Sequence, residues 1–581
     1  MAKKIIMKKN LIIAFICFFF ASCKSPEAIP VAQQSLQRVN EMPDLPEPFQ
    51  IIDYKKLALQ FDSTVFDFNA TGEYWPLVWI DSSKKNFPQN VVGLYTAIGD
   101  VRQGPMHNKG MFHEALANMG ATLGATLVGI DKNNNKNMDY VGMLKNYFNK
   151  ETGWDIMMNN TCPEVAMLGG GYGRDWWYDV YPNVLFYAIY DKYPNEPGFT
   201  KIARSIADKF YEADSILNGN YDYSFFDYRK MKPMKTAICA QPDAAAGQAW
   251  VLYNAYKKFN DPRYLKGAIS ALNALESQSK NPTYEVLMPF GAYLTARINA
   301  EQHKNYDVNK MLQWSFDGTA ICREGWGVLV GKWNGFDISG IVGSTVDHGG
   351  YGFLMNTYDA AWPLIPMVRY DQSYSRAIGK WMLNAANAAR FFYPQYIPAA
   401  HQSIPQLSEV TKGVIAYEGL IKNPSHKENE NLQGPVAQGD GPLWVPRKNP
   451  LVTQFSVYGS GHVGIFGSII RPTNVEGILQ LNLLATDFFH DKAYPTFLYY
   501  NPYSDTKKVS VLLEKDKKFD LYNTVSGSFV SKNISDSGEI KLPPGGSAVI
   551  VCIPSGGKIS YEKNKMLVDG VAVDYMWQEK K

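Results

Sequence analysis

Between Gly110 and about Phe392, apolar residues recur mostly at helical spacing, and this long run constrains the fold more than any other feature. Segments 111–130, 175–190, 202–213, 244–259, 264–275, 284–300, 351–370 and 374–392 each predict a helix, with weaker candidates between them. Asn260-Asp261-Pro262 closes one segment and opens the next, with proline where a first helical turn tolerates it. Asn281-Pro282-Thr283 repeats the device before Tyr284. Short links between long helices favour antiparallel neighbours. After about Tyr494 the period becomes two. Residues 496–500, 509–514, 519–522, 539–542 and 548–553 are β-type runs parted by turn material such as Pro543-Pro544-Gly545-Gly546.

The fold class expected is therefore mainly α with a small antiparallel β-domain at the end. Ten or eleven helices with glycine- and aromatic-rich loops between alternate pairs resemble the (α/α)6 toroid of many glycoside hydrolases and polysaccharide lyases. The resemblance spans about residues 50–480 and rests on layout. It implies six helical hairpins around a cavity, and the absence of a fixed repeat argues against a regular solenoid. The closing β-type run looks like the accessory β-sandwich of many carbohydrate-active enzymes. The expected domains are 49–490 for the catalytic toroid and 491–581 for the β-sandwich.

The first residues carry a different message. Lys3, Lys4, Lys8 and Lys9 precede an apolar run over 11–21, too short to span a bilayer as a helix but suited to a secretory signal. Phe20-Ala21-Ser22-Cys23 resembles the lipobox of bacterial lipoproteins, with Phe20 where the family usually has Leu. The resemblance implies a signal peptide over 1–22, lipidation of Cys23, and a membrane-anchored protein on the periplasmic face or cell surface. Residues 23–48, with five prolines from Lys24 onward, predict a tether. Removing four lysines from a chain of formal charge +3 leaves −1, so no net positive charge suggests a nucleic-acid partner. The membrane is expected as a partner through the lipid anchor only.

Cys162, Cys239, Cys322 and Cys552 stand far apart without a CxxC pair, which indicates neither a disulfide framework nor a zinc site and suggests isolated buried thiols. HExxH, GxxxxGK[ST] and GxSxG are absent, which weakens zinc-peptidase, nucleotide-hydrolase and α/β-hydrolase readings. Asp131, Asn133, Asn135 and Asp139 alternate like half a calcium loop, but Lys136 replaces the turn glycine and Gly142 the bidentate glutamate, so a polar turn is expected. No metal and no cofactor are expected.

Chemistry concentrates between Asp317 and Trp362. Ten of the 35 residues from Gly318 to Gly352 are glycine, which lets backbone approach a ligand closely. The segment carries Arg323, Glu324, Trp326, Trp333, Asp347, His348 and Asp359. Aromatic faces stack on sugar rings, and two carboxyl groups flanking a glycosidic oxygen divide acid and base work. Glu324, two residues before an indole, is the expected general acid, and Asp347 the base or nucleophile. Arg174, Asp175, Trp176 and Trp177 open a helix that in a toroid would face the cavity, while Trp326, Trp333, His348 and Asp359 would shape the sugar site. Tyr458 and His462, in Tyr458-Gly459-Ser460-Gly461-His462, form a pair of the kind several lyases use to abstract a proton beside a uronate carboxyl. Gln241-Pro242-Asp243 predicts a helix cap.

The function expected is a glycoside hydrolase acting on an oligo- or polysaccharide, with a carbohydrate substrate as partner. A polysaccharide lyase on the same fold, or a non-catalytic glycan-binding surface lipoprotein, are the alternatives. The trailing β-type run favours an enzyme over the latter.

Overall fold

The computed structural model describes residues 27–72, 75–96, 114–162, 175–424, 429–439, 456–515 and 517–580. Cys23 and Arg174 lie outside the described residues, as do the signal segment and the start of the expected tether. Helix takes 38% of the chain and strand 19%, the strands forming several antiparallel sheets.

The main helices are α1 (Tyr54–Val65), α2 (Ala115–Leu127), α3 (Trp176–Lys192), α4 (Phe199–Leu217), α5 (Ala244–Phe259) and α6 (Pro262–Glu276). They continue as α7 (Met288–Gln302), α8 (Val308–Phe316), α9 (Leu354–Tyr370), α10 (Ser375–Ala388), the single turn α11 (Val457–Ser460) and α12 (Gly464–Ile469). Six of them pack in a closed circuit: α2 on α3, then α5, α7, α9, α12 and back to α2. The turn α11 sits against α2 and α9, and the remainder lie outside, with α1 against α12, α4 and α6 against α5 or each other, α8 against α7, and α10 against α9. Composition explains the sorting. Helix α9 is buried along its whole length and α3 nearly so, as a helix apolar on every face must be. In α4, by contrast, one face turns inward, built on Phe199, Ile202, Ile206, Phe210, Ala213 and Leu217, while the other is exposed.

Glycine makes the closest crossings possible. A Cβ on Gly120 of α2 would strike the ring of His462, and one on Gly464 of α12 would strike the backbone of Gly124. Such contacts let α2 and α12 approach backbone to backbone.

Two β regions flank the ring. Strands β1 (Trp326–Val328), β2 (Val342–Ser344), β3 (Tyr351–Phe353), β4 (Gly419–Ile421) and β5 (Val436–Gln438) form one antiparallel sheet in the order β5-β4-β3-β2-β1. This sheet is where the glycine-rich segment goes: a Cβ on Gly343 would meet the carbonyl of Tyr351 across the ladder. The C-terminal module holds β6 (Ile470–Pro472), β7 (Leu479–Asn482), β8 (Thr496–Tyr500), β9 (Lys507–Leu512), β10 (Phe519–Asn523), β11 (Ser528–Ile534), β12 (Ser537–Leu542) and β13 (Ser547–Pro554). Its six-stranded sheet runs β6-β7-β8-β13-β10-β11, beside the pair β9–β12. A last three-stranded meander, β14 (Ile559–Glu562), β15 (Lys565–Val568) and β16 (Val571–Asp574), completes the chain.

Two expectations need correction. Residues 27–48 do not hang free as a tether: Leu36, Val39 and Met42 are buried, and the prolines interrupt an extended strap that bonds to both modules. A low density of apolar residues suffices there, because the surface that covers them is already folded. Cys239 and Cys322 are not isolated thiols but form a disulfide across 83 residues, with Cα atoms 5.9 Å apart. Spacing in the sequence gave no hint of it, since only the ring brings the two loops together. Cys162 and Cys552 are both buried.

Candidate active site at the mouth of the helix ring

The ring helices start at one common end. Asp175 begins α3, and its Oδ1 accepts hydrogen bonds from Gln241 Nε2 at 3.0 Å and from the Tyr284 hydroxyl at 3.1 Å. Gln241 stands three residues before α5, and Tyr284 four before α7. Gln241 Oε1 in turn accepts from the backbone N–H of Trp177 at 3.1 Å. Tyr178, in the first turn of α3, meets Tyr458 of α11 with the two hydroxyls 3.3 Å apart. Glu285 lies 3.6 Å from Arg323, whose guanidinium sits 5.0 Å from the Trp326 ring centre. Helix N-termini favour anions, so the placement of carboxylates at this end follows from the backbone dipoles.

Electrostatics tie these groups into one cluster. Burial, then the charges of Glu285 and Glu114, push the Tyr178 phenol well above its ordinary value. Burial and the neighbouring Tyr178, with Glu114 and Glu285, do the same to Tyr458. Burial raises Tyr284 as well, helped by Glu285 and Asp175. All three hydroxyls are therefore proton donors at neutral pH. Burial works against the Arg323 charge, but Glu285 and the surrounding Tyr284, Tyr351 and Asp347 raise its pKa overall. Glu114, immediately before α2, is fully buried at the same end.

Asp243 differs from its expected role. Its side chain makes no cap bond to α5; Oδ2 accepts instead from the backbone N–H of Tyr284 at 2.8 Å. Burial pushes its carboxyl up to about 7. The disulfide anchors the same neighbourhood, since Cys239 precedes Gln241 by two residues and Cys322 adjoins Arg323.

Among the residues singled out from sequence, Asp175 and Tyr458 join this cluster directly, and Asp347 faces Arg323 from the sheet side. Glu324 is exposed in the turn before β1, and its carbonyl accepts from Ser344 Oγ at 2.8 Å. His348 is half-buried, with Nε2 3.4 Å from Asp347. Four aromatics expected as sugar platforms are core instead. Trp176 is buried, stacked on Tyr221 and donating to the Tyr228 hydroxyl at 3.0 Å. Trp177 is buried against Tyr178, and Trp333 lies beneath Gly350. Trp326 is buried and its Nε1 donates to the Glu285 carbonyl at 3.1 Å, so it supports an acid rather than a sugar. The ring wall needs large apolar volumes, which is why Trp176 and Trp177 of α3 turn inward.

Asp359 and His462 also leave the expected sugar site. They form a buried pair, Nδ1 to Oδ1 at 2.7 Å, and His462 Nε2 lies 3.1 Å from the Leu116 carbonyl. Both ring nitrogens are thus engaged, one with α9 and one with α2. The expected polar turn at Asp131–Asp139 is a turn: Asp139 accepts from Gly142 N–H at 2.7 Å, and Asn133 donates to Asp139 and Glu196. Among the described residues no group of three or more His, Cys, Asp or Glu is arranged to hold a metal.

Sequence reasoning gave no site role to Glu114, Tyr178, Tyr284 or Glu285, and read Gln241 only as part of a helix cap. A usable signal existed. Each stands within four residues of the start of a ring helix, and in a closed ring those starts converge.

No protein-family model matches this chain, and no curated protein does. Two of the solved structures that resemble it are GH127 enzymes. A GH127 β-L-arabinofuranosidase from Geobacillus stearothermophilus T6 superposes with a TM-score of 0.34 at 10% identity, over 90% of this chain and 86% of that one. A second GH127 β-arabinofuranosidase gives 0.35 at 9% identity, over 94% and 85%. At these values no property of those enzymes transfers to this chain by likeness.

Proposed function

We propose that the chain is a glycoside hydrolase on an (α/α)6-type toroid, with its active site at the mouth where the ring helices begin. The observation that carries this reading is the meeting of Asp175, Glu285 and three protonated tyrosines, drawn from the starts of α3, α7 and α11. Two donors on Asp175 Oδ1 fix the orientation of its carboxyl, which suits a base or nucleophile. Glu285, held in place by Trp326 and Arg323, is the second carboxyl that exchanges a proton with the sugar oxygen. Asp347 is a third acid on the sheet side, and Glu324 belongs to the solvent-facing rim.

The elimination alternative is less well supported. It needs a base beside a uronate, yet His462 is engaged at both ring nitrogens and the Tyr458 phenol is held protonated by burial. The test is to incubate the purified protein with neutral and uronate-bearing polysaccharides while following reducing ends and ultraviolet absorbance. New reducing ends without absorbance support hydrolysis; an absorbing product supports elimination; neither product from any glycan leaves the binding-protein reading.

The lipobox-like Cys23 supports a further element of the same reading, an acylated protein on the periplasmic face or cell surface. A mature protein whose first residue is not acylated Cys23 overturns it.

A further inference from the structure

The strap connects the presumed anchor to a particular end of the molecule. Lys580 N–H donates to the Glu27 carbonyl at 2.8 Å, Ile29 N–H to Gln578 at 2.8 Å, and Val31 N–H to Val525 at 2.8 Å. Ala28 bridges Glu579 and packs on Gly527. The strap then reaches the helical module at Gln372 and Ser373, where Gln33 Nε2 donates to the Gln372 carbonyl at 3.0 Å and Gln34 N–H to Ser373 at 2.7 Å. These two residues follow directly on the C-terminus of α9. The candidate site lies at the N-terminus of that helix, 17 residues away, or about 25 Å at 1.5 Å per residue.

Only four peptide links separate Cys23 from Glu27, which carries the first contact of the described strap with the β-module. Fully extended they reach ~14 Å. A lipid on Cys23 therefore cannot release the body to a distance; it draws the β-module and the far end of the ring toward the bilayer.

We infer that the lipid surface is the partner of the face formed by residues 27–31, 525–527 and 578–580, and that the ring mouth opens away from the membrane. The inference rests on the reading of Cys23 as the acylated residue. Its consequence is that substrate arrives from the surrounding medium, not from glycans rooted in the same membrane.

The acylated full-length protein tests this in phosphatidylethanolamine–phosphatidylglycerol vesicles carrying an acceptor dye on the headgroups. Lys580→Cys places a donor dye near the strap's origin. Lys422→Cys places one at the mouth end, where the Lys422 N–H donates to the Gly350 carbonyl. Energy transfer is expected to be several-fold more efficient from position 580. Inserting an about 20-residue Gly/Ser spacer between Ser25 and Pro26 is expected to remove most of that difference, because such a linker is a flexible coil. Equal or reversed transfer in acylated protein without the spacer overturns the orientation. An intact mass lacking the acyl groups on Cys23 instead overturns the anchor reading, so the two failures are told apart.

Discussion

The carboxylate of Asp243 accepts the backbone N–H of Tyr284 at 2.8 Å, and the hydroxyl of the same tyrosine donates to Asp175 at 3.1 Å. A buried acid at the start of α5 thus positions, through Tyr284, an acid at the start of α3. Asp243 itself has no exposure, so it acts by holding its neighbour.

This relationship has a pH signature. Asp243 titrates at about 7 in the fold because burial disfavours its charge, against about 3.9 in the unfolded chain. The folded state therefore keeps a proton that the unfolded state releases. Its stabilisation is full below about pH 4 and is lost as pH rises through about 7. Asp243→Asn is expected to remove that slope, an effect on the order of 4 kcal/mol at most. Asp243→Ala leaves the Tyr284 N–H without its acceptor and is expected to cost ~1–3 kcal/mol at every pH. Urea titrations of the three proteins at pH 5 and pH 8 give the comparison. A wild-type slope retained in Asp243→Asn would place the titrating group elsewhere.

Asp175→Asn and Glu285→Gln are each expected to lower turnover by roughly 10²–10⁴-fold on whichever glycan is hydrolysed, the range for a positioned proton-transfer group. Glu324→Gln, at an exposed rim position, is expected to stay within a few-fold of wild type. Steady-state kinetics decide between the two sets. The reverse ranking would restore Glu324 as the acid.

The Cys239–Cys322 bridge closes a loop of 83 residues, for which chain entropy gives about 4.5 kcal/mol of stabilisation as an upper figure. Replacing both cysteines by serine is expected to lower Tm and to weaken turnover more than fold content, because the bridge pins the loops that carry Gln241 and Arg323. Circular dichroism alongside kinetics separates the effects. Unchanged kinetics in a protein of lowered Tm would confine the bridge to stability.

His462→Ala leaves Asp359 buried without its partner and is expected to cost ~3–5 kcal/mol. Burial opposes the His462 charge, but Asp359 and the Leu116 carbonyl outweigh it and raise the imidazole pKa. The pair's contribution is thus fully present below about pH 6.5 and falls as pH rises through the raised value. Denaturation midpoints of wild type and His462→Ala are expected to converge at high pH. A gap that widens with pH would contradict this assignment.

Helix positions were legible from the sequence because burial on one or all faces leaves a periodic trace. The segment 244–259 coincides with α5, and the run 496–500 with β8. Helix starts were less legible. Residues 351–353 continue the helical pattern of α9 but pair with β2 and β4 as a strand, because the glycine-rich partners bring two ladders to their backbone. The predicted helix from 284 took in Tyr284 and Glu285, which instead lead into α7 from the mouth.

The sequence by itself determined the periodic elements, the switch from helix to strand, and a lipobox-like start, since each depends on residues close together in the chain. Tertiary structure alone decided which acids and aromatics share a site. Trp176 and Asp175 are neighbours in sequence, yet α3 turns one into the ring wall and the other toward Gln241 and Tyr284, 66 and 109 residues away. Closure of the ring brings the starts of its helices together, and no local pattern records that closure. The disulfide and the seated strap follow the same rule, because their partners lie 83 residues or more away and meet only after the chain has folded.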